Sequence, residues 1–249
     1  MASLLALPVW AADRKTDLAL LDAAEQGDVA SVEALLQQGA SVATRNSQGN
    51  TALGYASRGG HLEVAKLLVA KGADVNQGNL KNIPPLHEAV YNGHADVAKL
   101  LLEHGARVDA EDNTGKNAII YAAANGDVPM LELLLEHHAD LDKPSSQGVT
   151  PLMWSAGYGS IEGTYFLLKH EVDLDRQDDR GMTALMLATK SGQPGVVAEL
   201  LDAGANRDLK DKEGKKAVDY ASEVGSTELV KMFERPPGHA LPEAESKPN

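Results

Sequence analysis

Leu20, Leu53, Leu86, Ile119, Leu152, Leu185 and Val218 stand 33 residues apart, and Gly27, Gly60, Gly93, Gly126, Gly159, Gly192 and Gly225 keep the same interval. Two ladders that never slip through seven copies confine the chain to a stack of like units. Each unit buries its apolar face against the next instead of closing around a single centre. Length then says little about domain number, and function has to be sought on a surface.

The third copy, Asn79 to Glu111, shows how one unit is built. Pro84-Pro85-Leu86-His87-Glu88-Ala89 opens a short helix, because proline is tolerated in a first turn whose N–H groups have no intrahelical partner. Gly93 ends it in a left-handed conformation that costs least without a Cβ. A second helix over Ala95 to His104 places Val97, Leu100 and Leu101 on one face and stops at Gly105-Ala106. Val108-Asp109 and Asp112-Asn113-Thr114-Gly115 then read as an extended arm and a tight turn leading to the next copy.

Pro84-Pro85-Leu86-His87-Glu88-Ala89, Thr150-Pro151-Leu152 and Gly72-Ala73-Asp74-Val75-Asn76 resemble the ankyrin repeat, over Asp13 to Glu234 in seven copies with the first and last as caps. The resemblance implies an all-α solenoid of stacked helix pairs with projecting β-turn fingers. It also implies binding of other proteins through the fingers and the concave face of the first helices, with no chemistry of its own and no cofactor. The ladder leucines are then core. Asp22, Glu25, Lys215, Lys216 and Glu223 suit the polar outer faces of the caps.

Residues that depart from the repeat carry the individual information. Two positions after each ladder residue stand Asp22, Tyr55, Glu88, Tyr121, Trp154, Leu187 and Tyr220, a site that the resemblance places in the groove. Tyr91 and Tyr158, just before ladder glycines, add two more rings. Six of the ten aromatic residues thus fall on one side. Rigid amphipathic rings give contact area at low entropy cost and recur at binding centres. The competing reading is that they lean across their own helices and fill gaps. Tyr121, Trp154 and Tyr158, in adjacent copies, are the expected hot spot. At the finger turns, Leu80, Ile83, Lys116, Val149 and Met182 occupy sites that are usually polar, and apolar turn tips suggest an interface. The candidate partner-binding set is therefore Tyr55, Leu80, Ile83, Tyr91, Tyr121, Val149, Trp154, Tyr158, Met182, Leu187 and Tyr220.

The formal net charge of -13 disfavours nucleic acid and acidic membranes and favours a partner with a basic patch. Asp109, Glu111, Asp112, Asp142, Asp175, Asp178, Asp179, Asp208 and Asp211 form an acidic rim at the turns, although Asp also accepts turn amides. There is no cysteine, so disulfides, cysteine zinc sites and thiol nucleophiles are excluded. Leu4 to Trp10 followed by Ala11-Ala12-Asp13 reads as the remnant of an export signal over residues 1–12, without its basic segment. This predicts a periplasmic or secreted protein of a bacterial exported type, or a cytoplasmic one if Leu4 to Trp10 is not a signal. No later segment reaches the length of a membrane span. The tail from Arg235 to Asn249 is Pro-rich and polar, a composition expected to stay disordered.

His104, His137 and His170 share one repeat position. Helices about 8 to 10 Å apart hold such residues too far from one another for a single zinc, so a role at helix C-termini is expected. Asp173, Asp175 and Asp179 lack the glycine and closing glutamate of a calcium loop. No phosphate loop, nucleophile elbow or metalloprotease helix is present. In the fifth copy Glu171 replaces a helix-ending glycine, as His138 does in the fourth, and Gly163 stands where Val64, Val97 and Met130 stand elsewhere, which predicts lost core volume and either local softness or a rotated helix. The sequence thus points to a non-enzyme, monomeric on its own, that engages a folded protein and inhibits, protects or scaffolds a cell-envelope enzyme. Glycan binding along the ring-lined groove and a cytoplasmic scaffold or host-directed effector are the alternatives.

Overall fold

The computed structural model describes residues 10–234, with side chains from Arg14 onward. Most of the expected export segment and the tail lie outside these residues. The described chain forms two compact units, one up to Asn113 and one from Thr114.

The first unit contains three helix pairs: Trp10–Gln26 (α1) with Val29–Gln37 (α2), Ala52–Gly59 (α3) with Leu62–Ala70 (α4), and Pro85–Tyr91 (α5) with Ala95–Glu103 (α6). The second contains four: Ala118–Asn125 (α7) with Val128–Glu136 (α8), Pro151–Tyr158 (α9) with Ile161–Lys169 (α10), Ala184–Lys190 (α11) with Pro194–Asp202 (α12), and Ala217–Val224 (α13) with Thr227–Glu234 (α14). The described residues thus hold seven helix pairs. Among the described residues the only β pairing is a bridge between Arg45 and Thr51 at the base of a finger.

Local chemistry sets the helix ends. Thr51, Asn117, Thr150 and Thr183 accept the backbone N–H three residues on, capping α3, α7, α9 and α11. Asp28, Asp127 and Ser160 do the same for α2, α8 and α10. The ladder glycines adopt positive φ, Gly126 at 69° and Gly159 at 75°. His138 (65°) and Glu171 (55°) are held in the same left-handed region, where a side chain costs energy.

First helices of successive copies pack tightly within each unit because the facing positions are small: Ala56, Ala89, Ala122 and Ala188 are wholly buried. The ladder residues Leu20 to Leu185 are buried as expected. Val218 is only half-buried, since among the described residues no further copy stacks on the one it belongs to. His61 and His94, which follow ladder glycines, each reach back to the preceding copy, with Nε2 3.0 Å from the carbonyls of Glu25 and Arg58.

Fingers are joined by a repeating backbone bond. Within the first unit the N–H of Leu80 donates to Gln48 O (3.0 Å) and that of Asn113 to Lys81 O (3.0 Å). Within the second, Ser146 donates to Thr114 O, Asp179 to Gln147 O and Lys212 to Arg180 O. The turn acids are largely used up here: Asp178 Oδ1 accepts from the N–H groups of Arg180 and Met182, Asp211 Oδ1 from Glu213 and Lys215, and Asp175 Oδ1 from Asn206 of the next copy.

His87 is buried, and its Nε2–H donates to Ala110 O at 2.9 Å. Burial pushes its pKa down to about 4, against smaller upward pulls from the Ala110 hydrogen bond and from Asp112 and Glu88. The unfolded chain takes up this proton near pH 6.5 and the folded chain only near pH 4, so stability is complete above pH 6.5 and falls as the solution is acidified. Lowering the pH from 7 to 5 is expected to cost the wild type about 2 kcal/mol more than His87→Asn. Urea titrations of both proteins at the two pH values check this, and parallel losses would remove His87 as the cause.

Candidate functional site

In the first unit Tyr55 is half-buried, its hydroxyl accepting from Asn46 Nδ2 at 2.9 Å. The Arg58 guanidinium lies 5.5 Å from the ring centroid and is held by both carboxylate oxygens of Glu88, at 2.9 and 2.7 Å. That hydrogen-bonded pairing raises the Arg58 pKa further. Leu80 is 69% exposed and Tyr91 59%, whereas Ile83 is half-buried.

In the second unit Tyr121, Trp154 and Leu187 are half-buried and Tyr158 is 66% exposed. Trp154 and Tyr158 have centroids 5.8 Å apart with planes tilted by 40°. The Lys116 ammonium sits 4.4 Å from the Trp154 centroid and 5.8 Å from that of Tyr121, a cation shared between two rings. The Trp154 indole N–H donates to Ser145 Oγ at 3.0 Å. Lys116, Tyr121, Trp154 and Tyr158 therefore form one cluster at the expected hot spot.

Three expectations of exposure are not met. Tyr220 is 3% exposed: its hydroxyl donates to Asp211 Oδ2, and Lys190 and Lys215 lie 5.1 and 5.4 Å from its centroid. Burial and the bond to Asp211 push the tyrosine pKa up to about 12, while bonds from Tyr220 and the backbone outweigh burial and hold Asp211 low. Val149 and Met182 are also buried, because the finger folds back onto the helices and the residue four after the turn acceptor, Ser145 or Asp178, points inward. These three are core, not surface.

Ring and finger are coupled by a spacing of nine residues. Asn46 with Tyr55, Ser145 with Trp154 and Asp211 with Tyr220 are hydrogen-bonded pairs in which each ring tip holds the turn of its own finger. Gap-filling and binding are thus not exclusive roles for these rings. An exposed feature absent from the expected set is Tyr165, 49% exposed on α10, with Ile161 (45%) one turn earlier and the Lys169 ammonium 4.3 Å from its centroid. The sequence carries a signal, since five of the six equivalent positions hold charged residues, Glu33, Lys66, Lys99, Glu132 and Lys231, and the sixth is Ala198.

His104, His137 and His170 each stand at a helix C-terminus, and His104 Nδ1 bonds to Leu100 O at 2.8 Å. Among the described residues no group of three or more His, Asp or Glu side chains is placed to hold a metal. No helix among them is long and apolar enough to cross a membrane.

Comparison with known proteins agrees with this architecture. The family model of ankyrin repeats matches in three copies, over residues 20–112, 86–178 and 165–234. A search of curated proteins found no match. Among solved structures, the human ASB11 ankyrin repeat domain is similar at 29% identity with a TM-score of 0.79, covering 88% of this chain and 98% of that one. Ankyrin repeats are generally protein-interaction modules rather than catalysts, and this chain, matched along its repeats from Leu20 to Glu234, belongs to the ankyrin repeat family.

Proposed function

We propose that the protein is a non-catalytic binding module for a folded partner protein, with the cluster of Lys116, Tyr121, Trp154 and Tyr158 as the centre of contact in the second unit. The observation that carries this is the tilted Trp154–Tyr158 pair, one ring half-buried and braced by Ser145, the other exposed. A braced aromatic anchor beside an exposed one suits a protein surface. Lys116 covers the Trp154 face, which leaves less bare ring for a sugar to stack on and supports the protein reading over the glycan one. Exposed Asp173 and Asp179 side chains around the fingers favour basic groups on that partner. We place the protein in the cell envelope on the strength of the apolar run Leu4 to Trp10 alone, and a monomer that inhibits, protects or scaffolds an envelope enzyme fits that location.

The test captures partners from envelope extract with the native protein and with Trp154→Ala plus Tyr121→Ala. Loss of a hot-spot pair is expected to weaken binding by about 30-fold or more. Intact mass of the natively expressed protein is expected to place its start near Ala12. Undiminished capture by a variant that melts normally would sink the proposed centre, and an intact Leu4 to Trp10 would sink the location.

A further inference from the structure

Two stretches of the first unit carry a charge opposite to that of the chain as a whole. From residue 34 to 62 there is no Asp or Glu, while Arg45 and Arg58 are present; from residue 75 to 87 there is again none, and Lys81 is present. These two stretches contain the first two fingers. Where the fingers meet α3 they enclose an open pocket of about 350 Å³, lined by Gln48, Asn50, Arg58, Leu80, Lys81 and Ile83, with no carboxylate on its wall. That size is at the small end for ligand pockets and suits one or two side chains.

The pocket is rigid where it is polar. Asn50 is buried, its Oδ1 accepting from Asn79 Nδ2 at 3.0 Å and its Nδ2 donating to Gln48 Oε1 at 3.2 Å. The bond from Leu80 N–H to Gln48 O locks one finger to the next. Arg58 is fixed by Glu88 through Nε and Nη2, which leaves Nη1 without a hydrogen bond, and Glu88 has its charge matched there. Lys81 is exposed at the mouth, its backbone N–H bound by Asn79 Oδ1 and its ammonium in no ion pair. Leu80 forms an apolar lip. The wall thus offers two cations, amide donors and a hydrophobic edge, already ordered.

We infer that this pocket between the first two fingers binds a carboxylate side chain of an extended acidic segment of the partner protein, with a neighbouring apolar residue of that segment on Leu80. The inference rests on the protein-binding reading above but concerns a different unit and the opposite charge. Charge complementarity selects the occupant: a carboxylate gains charge-assisted hydrogen bonds from Lys81 and Arg58 Nη1, whereas an ammonium would meet the Lys81 charge and find the nearby Glu88 carboxylate already taken by Arg58.

The test uses the full chain and a dye-labelled octapeptide, Gly-Ser-Leu-Glu-Leu-Glu-Gly-Ser, with Gln and Lys versions at the two Glu positions. Anisotropy at low salt is expected to show the Glu peptide binding about tenfold more tightly than the Gln peptide, with the advantage shrinking at high salt. Amide shifts on titration are expected to concentrate at residues 47–50 and 79–83. Lys81→Glu, an exposed change, is expected to leave the melting temperature in place and reverse the preference toward the Lys peptide. Equal binding of the Glu and Gln peptides, shifts centred elsewhere, or a preference unchanged in Lys81→Glu would each overturn the inference. These readings do not involve Tyr121 or Trp154, so the pocket and the proposed contact centre succeed or fail separately.

Discussion

Leu86→Ala is expected to destabilise the protein by about 3 kcal/mol, and Val218→Ala by less than about 1 kcal/mol, although both residues occupy the same rung of the ladder. Leu86 is wholly buried, so truncation loses transfer energy and leaves a cavity whose walls cannot collapse. Val218 is half-buried in the last copy, so it has less burial to lose, and water replaces part of what is removed. Urea unfolding of the two variants gives the comparison directly. Similar losses would mean that depth of burial is not what makes a ladder residue stabilising.

Gly163→Ala separates two opposite expectations by sign. Helix propensity alone predicts that replacing a glycine inside α10 stabilises by about 1 kcal/mol. A Cβ built at Gly163, however, would stand 2.2 Å from the carbonyl oxygen of Ala123 and 2.7 Å from Ser160 Oγ. The first of these is backbone and cannot swing aside. The variant is therefore expected to lose about 2 kcal/mol, and Gly163→Val about 3 kcal/mol or more, in thermal or urea unfolding. A stabilised Gly163→Ala would refute the close approach of α10 to α7.

The same site corrects the expectation of lost core volume in the fifth copy, where the helix has moved in instead. Val64, Val97 and Met130 fill the equivalent position in other copies, and sequence comparison alone makes Gly163 look like missing volume. Two further substitutions belong with it: Ser155 stands in the row of Ala56, Ala89 and Ala122, and Thr164 in that of Ala65 and Ala98. Their hydroxyls are 2.7 Å apart in the buried space, and Ser155 also donates to Ser160 O at 3.1 Å. Hydroxyl pairing in place of apolar packing draws α10 inward, and only glycine tolerates the result. The three changes form one device, which reading each column separately hides.

Period made most of the fold legible: ladder burial, the left-handed glycines, the histidines at helix ends and the turn acids all follow from which residues recur at 33. The site was less legible because exposure is decided by what folds over what. Nothing in the local pattern around Tyr220 says that Asp211, nine residues earlier, will close over its hydroxyl, or that Lys190 and Lys215 will flank its ring. Val149 and Met182 misled for a related reason, since an apolar residue near a turn tip looks exposed until the finger is seen to lie on the helices. In the sequence Lys116 stands out only as an unusual finger residue; its place above Tyr121 and Trp154 depends on three chain segments meeting.

The bonds that link finger to finger have an evolutionary corollary. Within each unit a backbone oxygen on one tip meets a backbone N–H on the following tip, so every interior module ends in the same plug and socket whatever its side chains. Excising or duplicating one such module leaves complementary ends facing each other. Copy number can therefore drift in a lineage without rewriting the surviving modules, while the side chains on each remain at liberty to diversify toward new partners.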